Sequence, residues 1–264
     1  VTKVRLAMVM GALLTLLVER PAHAIRPFVT DDARVVGNKL AQLETWLLVD
    51  RLGLEHNALA AIGPTDWLEF TVGLTHGGVH SGPDSGYSIT GPIVQVKALV
   101  VAARNNRWPG LAISAGVLPP LGYGAFTPPG WSGFTYLALT ESLFDEWLLL
   151  HANVGIAVGD VGSSVGGGGP STSRIRALLT AGFGFQARIV AGLHGVAEVY
   201  YGDPYDLRSD FPAMQVGFRY IFNDRVQIDG TFASTLMAVA HAGGHAQTEQ
   251  WGTLGLRLVT PELW

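Results

Sequence analysis

Two pairs of histidines share one spacing. His76 and His80 lie in HGGVH, and His241 and His245 lie in HAGGH. Four imidazoles could bind Zn²⁺ or Cu²⁺. On a helix, i,i+4 spacing brings two rings to one face. These stretches are rich in glycine and predict long loops, where the spacing has no such effect. They read as solvated loop histidines, with a metal site as the alternative, and no metal or cofactor is assigned. Hydrolytic chemistry needs a nucleophile held beside a base. Ser114, His151, His194 and Asp229 are the residue types available, but nothing in their spacing places a serine beside a histidine, and no GxSxG occurs. The GGGG at 166–169 is followed by Pro and Ser, without the lysine of a phosphate loop. No catalytic residue is assigned, and the chain is not read as an enzyme.

The elements that must position any such residues alternate with a period of two. In EWLLLHANVGIAVGD (146–160) the even positions from Leu148 to Val158 are all apolar, while the odd ones include His151, Asn153 and Gly155. That period is a strand's. Segments 66–76, 91–102, 176–186, 214–222 and 251–259 alternate in the same way. Weaker candidates are 39–49, 54–62, 109–118, 133–143, 190–201 and 226–237. The total is twelve strands, or ten if 54–62 and 133–143 are not strands. Links alternate too. Short ones such as GPTD (63–66), RNNRW (104–108), FDE (144–146), ARI (187–189) and NDR (223–225) take turns with long Gly/Pro-rich ones at 76–88, 119–131, 160–173, 202–212 and 238–250; the link near 50–53 is the exception. Short turns at one end and long loops at the other mark a bacterial outer-membrane barrel.

Composition supplies the solvent for the apolar face. Charged residues are 14% of the chain and apolar ones 48%, against about 25% charged in an ordinary soluble domain. No apolar run reaches the ~20 residues of a membrane helix. The expected fold is therefore an all-β, closed antiparallel transmembrane barrel, because in hydrocarbon a sheet must have no edge; a soluble barrel or sandwich is the alternative. Twelve strands predict a narrow, wet, partly obstructed lumen. Cysteine is absent, which removes disulfides and thiolate metal sites.

VTKVR, the apolar 6–18 and a final Ala22-His23-Ala24 form the three regions of a secretory signal peptide over 1–24. Val1 in place of Met fits a translated GTG start codon, hence a bacterial gene. Without Lys3, Arg5, Glu19 and Arg20, the 17 basic and 21 acidic residues become 14 and 20, a net charge of −6. That leaves no basic footprint for nucleic acid. Segment 25–38 precedes the first strand and carries Asp31 and Asp32; it reads as a plug entering the lumen or as a periplasmic tail. The barrel proper is expected over 39–264. Trp264 shares the even frame of Leu254, Leu256 and Leu258. An aromatic end of this kind is a signal to outer-membrane assembly machinery, although Pro261 interrupts the ladder.

IRPFVTDDARVVGNKLAQLETWL (25–47) and WGTLGLRLVTPELW (251–264) resemble the outer-membrane family described as transporters of the meta-cleavage (MetA) pathway of phenol degradation. The resemblance runs through the mature chain and is strongest at its ends. It implies a β-barrel in the bacterial outer membrane, in contact with its lipid, and passage of small, aromatic or apolar solutes. It carries over no catalytic residue. A lipid-modifying enzyme and a structural or adhesive barrel are the alternatives.

Strand parity makes one further prediction. Apart from Glu141, the ionisable residues within strands share the face opposite the apolar one. From the eighth strand round to the first they read Arg176, Glu198, Arg219, Asp229, Arg257 and Glu44, alternating in sign. Glu69 and Lys97 form a pair on the other wall if their loop closes between Thr75 and Gly91. The NDR turn sets Phe222 opposite Val226, and so Arg219 opposite Asp229. These eight residues are expected to form a belt of charge inside the lumen.

Overall fold

The computed structural model describes residues 28–80, 85–162, 173–239 and 247–264. The segment read as a signal peptide, the GGGG tract, His241 and His245 all lie outside the described residues. The strands are β1 (Leu40–Asp50), β2 (Gly53–Thr65), β3 (Leu68–Val79), β4 (Gly86–Val101), β5 (Gly110–Leu118), β6 (Gly122–Tyr123) and β7 (Ser132–Leu143). They continue as β8 (Leu148–Asp160), β9 (Ile175–Val190), β10 (Leu193–Tyr201), β11 (Pro212–Asn223), β12 (Val226–Thr235) and β13 (Gln250–Val259). Twelve of them form a closed antiparallel ring in which β1 pairs with β13 and every other neighbour is adjacent in sequence, β5 passing to β7. The two-residue β6 lies outside the ring and pairs with the start of β4. Segments 54–62 and 133–143 are both strands, which fixes the count at twelve.

The faces follow parity. Phe70, Val72 and Leu74 of β3 point outward, as do Val154, Ile156 and Val158 of β8 and Val216 and Phe218 of β11. The opposite parity is buried: Glu69 and Thr71, Leu149 and His151, Gln215 and Arg219. An outer wall of exposed Phe, Leu, Val and Ile over twelve strands has one suitable solvent, the hydrocarbon of a bilayer, and closing the ring leaves no unpaired edge in it.

Several boundaries differ from expectation. β3 and β4 run on to Val79 and back to Gly86, so most of the expected loop 76–88 is a strand extension. A register shift lies opposite the Gly91–Pro92 step and exchanges the faces of β4 there. Ser88 is buried before it, and Ile93, Gln95 and Lys97 after it. That exchange hides the extension from a strict period of two. β9 continues to Val190, so residues 187–189 are strand. The turn is instead Ala191 and Gly192, and Gly192 takes a left-handed φ of 76° that suits so tight a reversal.

Two segments fill the ring. From the long-loop end, the 202–211 link folds inward, and Tyr205 and Leu207 pack on an apolar cluster of Trp46, Leu59, Ile93, Leu118, Phe134 and Leu178. From the turn end, residues 28–38 enter ahead of β1. Phe28, Thr30, Asp32, Ala33, Val35 and Val36 are each at most 6% exposed.

Candidate functional site

The inner wall holds the 28–38 segment by charge. At its C-terminal end, the Lys39 amide donates to Gly63 O (2.8 Å) and Gly37 takes the left-handed φ of 100° that glycine permits. The Val36 amide donates to Glu69 Oε2 (2.8 Å), and the Ala33 amide to Thr140 Oγ1 (2.9 Å). Lys97 Nζ stands 2.8 Å from Asp31 Oδ2 and 3.6 Å from Asp32 Oδ1. Tyr136 OH donates to Asp31 Oδ2 (2.8 Å). Beyond it, the amides of Val29 and Thr30 donate to the two oxygens of Glu198 at 3.0 and 2.8 Å. Phe28 ends the described stretch with its ring 5.5 Å from the Arg219 guanidinium carbon. The segment thus crosses the lumen from β3 to β10. Thr30 passes over Gly182, where a Cβ would collide with its hydroxyl oxygen.

Three of the expected charge pairs are directly opposed in register: Glu44 with Arg257, Glu69 with Lys97, and Arg219 with Asp229. Arg219 Nη2 is 4.0 Å from Asp229 Oδ2, and both side chains are about 1% exposed. The turn behind this pair differs from the reading. Asn223, not Phe222, faces Val226, and a register shift at Phe222 restores the pairing beyond it. Likewise Thr75 faces Thr90, not Gly91, and a second shift preserves Glu69 opposite Lys97.

The alternating order round the ring is not kept. Glu198 faces Gly184 and Gln215, and its oxygens hold the N-terminal segment. Arg176 lies eight residues along β9 from Gly184, roughly 26 Å at ~3.3 Å per residue. There it pairs with Asp210 and donates to Leu207 O at the long-loop rim. Parity gives a side chain's face and says nothing of its height, so Arg176 leaves the belt.

Uncharged groups complete the lining. Gln42 accepts from Arg257 Nε (2.6 Å) and donates to Glu44 Oε1 (2.7 Å), and Gln186 Oε1 accepts from Arg219 Nη1 (2.7 Å). Thr140, Tyr136 and these glutamines were not singled out in the sequence. Their inward parity was available; that the partners of Thr140 and Tyr136 lie on a segment with no periodicity was not.

The remaining candidates are dispersed. His76 is inside β3 and on its outward face, not in a loop, and its Nε2 lies 2.9 Å from Nδ1 of His56. His80 is exposed beyond the strand. Among the described residues no group of three or more His, Asp and Glu is placed to hold a metal. Ser114 donates to Val96 O (3.3 Å), and His151 is bonded to Thr140 (3.0 Å). Trp264 is exposed past the end of β13.

Above the segment lies a chamber of about 320 Å³, floored by Phe28 and Val29 and roofed by the 202–211 loop. A separate crevice of about 40 Å³ lies beside Gln95, Tyr205, Lys97, Glu69 and Arg257, with Tyr205 lining both. With this interior in view, the chain can be set beside solved outer-membrane barrels. The chain is similar to an outer membrane channel from Pseudomonas putida F1, with a TM-score of 0.61 and 10% identity over 87% of this chain and 98% of that one. It is also similar to the NanC porin (0.55, 9%, 83% and 98%) and to the KdgM porin in complex with disordered oligogalacturonate (0.53, 8%, 82% and 98%). The fold is that of a bacterial outer-membrane barrel. No family model and no curated protein matches the chain. In bacterial barrels of this kind short turns are periplasmic and long loops extracellular, so the chamber lies toward the extracellular side and the 28–38 segment on its periplasmic side.

Proposed function

We propose that the protein is a passive outer-membrane channel for small molecules, aromatic or apolar ones among them, and that residues 28–38 are its plug. The observation that carries this reading is the path of the segment across the lumen. It is held by Glu69 and Lys97 on one wall and by Glu198 on the other. A segment with only a structural role could pack on apolar wall. This one is fixed by buried charges, of which Glu69 and Lys97 also face the residual crevice, so two of its anchors and the proposed solute path share the same groups. The aromatic or apolar range of solutes comes from the resemblance of the chain's ends to the phenol-degradation transporters, and the oligogalacturonate of the KdgM porin is not carried over. Neither a lipid-modifying enzyme nor an adhesin is favoured by any arrangement among the described residues.

Single-channel recording in planar bilayers tests the proposal. The mature chain should conduct weakly, and deletion of residues 25–36 should raise conductance severalfold. An unchanged trace after the deletion would rule out the plug.

A further inference from the structure

The chamber above the plug is built for one sign of charge. Its volume of about 320 Å³ is roughly twice that of a cavity of ~150 Å³ that accommodates benzene. It therefore fits one aromatic ring with a short side chain. Aromatic side chains reach it from separate elements: Trp46 on β1, Trp251 on β13, Tyr200 on β10, Tyr205 in the 202–211 loop and Phe28 on the plug. Tyr205 is fixed by its hydroxyl, which donates to Gln95 Oε1 (2.6 Å).

The ionisable groups among the described lining residues are one-sided. Six carboxylates, Asp50, Glu55, Asp160, Asp203, Asp206 and Glu249, accompany a single guanidinium, Arg208. Arg208 Nε is 2.9 Å from Asp206 Oδ1, and its Nη1 donates to Ala125 O (3.2 Å). Arg208 thus offsets the charge of Asp206 and lies near Glu55, and the lining keeps an excess of carboxylates. Glu55 projects from β2 and is held by the Asn57 amide (2.7 Å). Aromatic faces attract cations through their quadrupole, and a cavity lined by one sign of charge concentrates the opposite sign and repels its own. Both effects favour the same solutes.

We propose that this chamber binds small aromatic molecules bearing a positively charged amine, accepts their neutral counterparts less well, and rejects carboxylates. The inference deepens the channel reading and rests on it for transport; binding in the chamber can be measured apart from conduction.

Three probes sharing a phenylethyl group separate the contributions: 2-phenylethylammonium, 2-phenylethanol and 3-phenylpropionate. Calorimetric titration into the refolded mature chain in detergent should give affinities in that order, with at least about a tenfold gap between the charged probes. Raising the salt to about 1 M, where the screening length falls to ~3 Å, should narrow that gap. Glu55→Gln should cut the ammonium's advantage severalfold and leave the alcohol unchanged, whereas Trp251→Ala should weaken all three. Equal or tighter binding of the carboxylate overturns the proposal, as does an ammonium advantage untouched by both salt and Glu55→Gln, or no binding of any probe. The expected order in a barrel that passes no solute would preserve the chamber and sink the channel. Conduction without that order would do the reverse.

Discussion

At the scale of the residue, the lumen shows why charge in a barrel wall comes in opposed pairs. Arg219 and Asp229 sit at the same height on adjacent strands, almost wholly out of solvent. A lone ion in such a place is costly, and removing one member of a buried pair costs about 3–5 kcal/mol because the other is left uncompensated. Arg219→Ala should therefore lower resistance to urea by about that amount. It should also change ion selectivity, since Arg219 stands beneath Phe28 at the end of the described plug. Unaltered selectivity with lowered stability would reduce the pair to a structural role. Asp229→Asn in the Arg219→Ala background should recover much of the stability, because the stranded carboxylate is then gone. The pairing was legible in the sequence from parity and a short turn. It survived an error in the turn, because the shift at Phe222 restores the expected register from Ile221 onward. The height of Arg176 was not legible, since it depends on the full length of β9, which extends past the residues that alternate most clearly.

At the scale of the element, strands and the proposed plug, residues 28–38, contrast in how they are specified. A strand is written in its side chains, one face apolar and the other not, and both faces can be read from a single sequence. The plug is attached mainly through its backbone: amides of Val29, Thr30, Ala33 and Val36 donate to wall side chains. Any residue but proline offers that amide, so the course of 28–38 leaves no periodic trace. Its acids, Asp31 and Asp32, signal cationic partners: Lys97 on the wall pairs most closely with Asp31, and Asp32 pairs with Arg34 of the segment itself as well as with Lys97. The anchors can be ranked. Hydrogen bonds to an ionised acceptor contribute about 1.5–3 kcal/mol each, and Glu198 accepts two. Glu198→Gln keeps the shape, replaces one oxygen with a donor and removes the charge. It should loosen residues 28–30 first, seen as faster amide exchange there and more frequent openings in single-channel records. If exchange at Val29 and Thr30 stays as slow as in the parent, Glu198 does not hold the plug.

At the scale of the whole molecule, the barrel has two solvents and one wall between them. Its outside carries Phe183, Val216, Phe218, Phe232 and Leu254, and its inside carries the buried carboxylates, guanidiniums and amides described above. Twelve strands give an interior that, among the described residues, two inward-folded segments nearly fill, leaving a chamber toward the loops and a crevice beside residues 31–36. The same wall predicts how a misplaced charge behaves. Arginine on the lipid face of such a barrel costs about 2–4 kcal/mol at the bilayer midplane and about 0–1 near the interfaces. Leu254 lies midway along β13 and is 60% exposed, while Phe222 lies at the turn end of β11 and is 57% exposed. Their exposures match, so depth is what separates them. Leu254→Arg should destabilise folding into lipid vesicles by about 2–4 kcal/mol, and Phe222→Arg by no more than about 1 kcal/mol, measured by reversible denaturation in the same vesicles. Equal costs would mean that the hydrocarbon is not centred on the middle of the strands, and the depths of Leu254 and Phe222 in the bilayer would need to be drawn again.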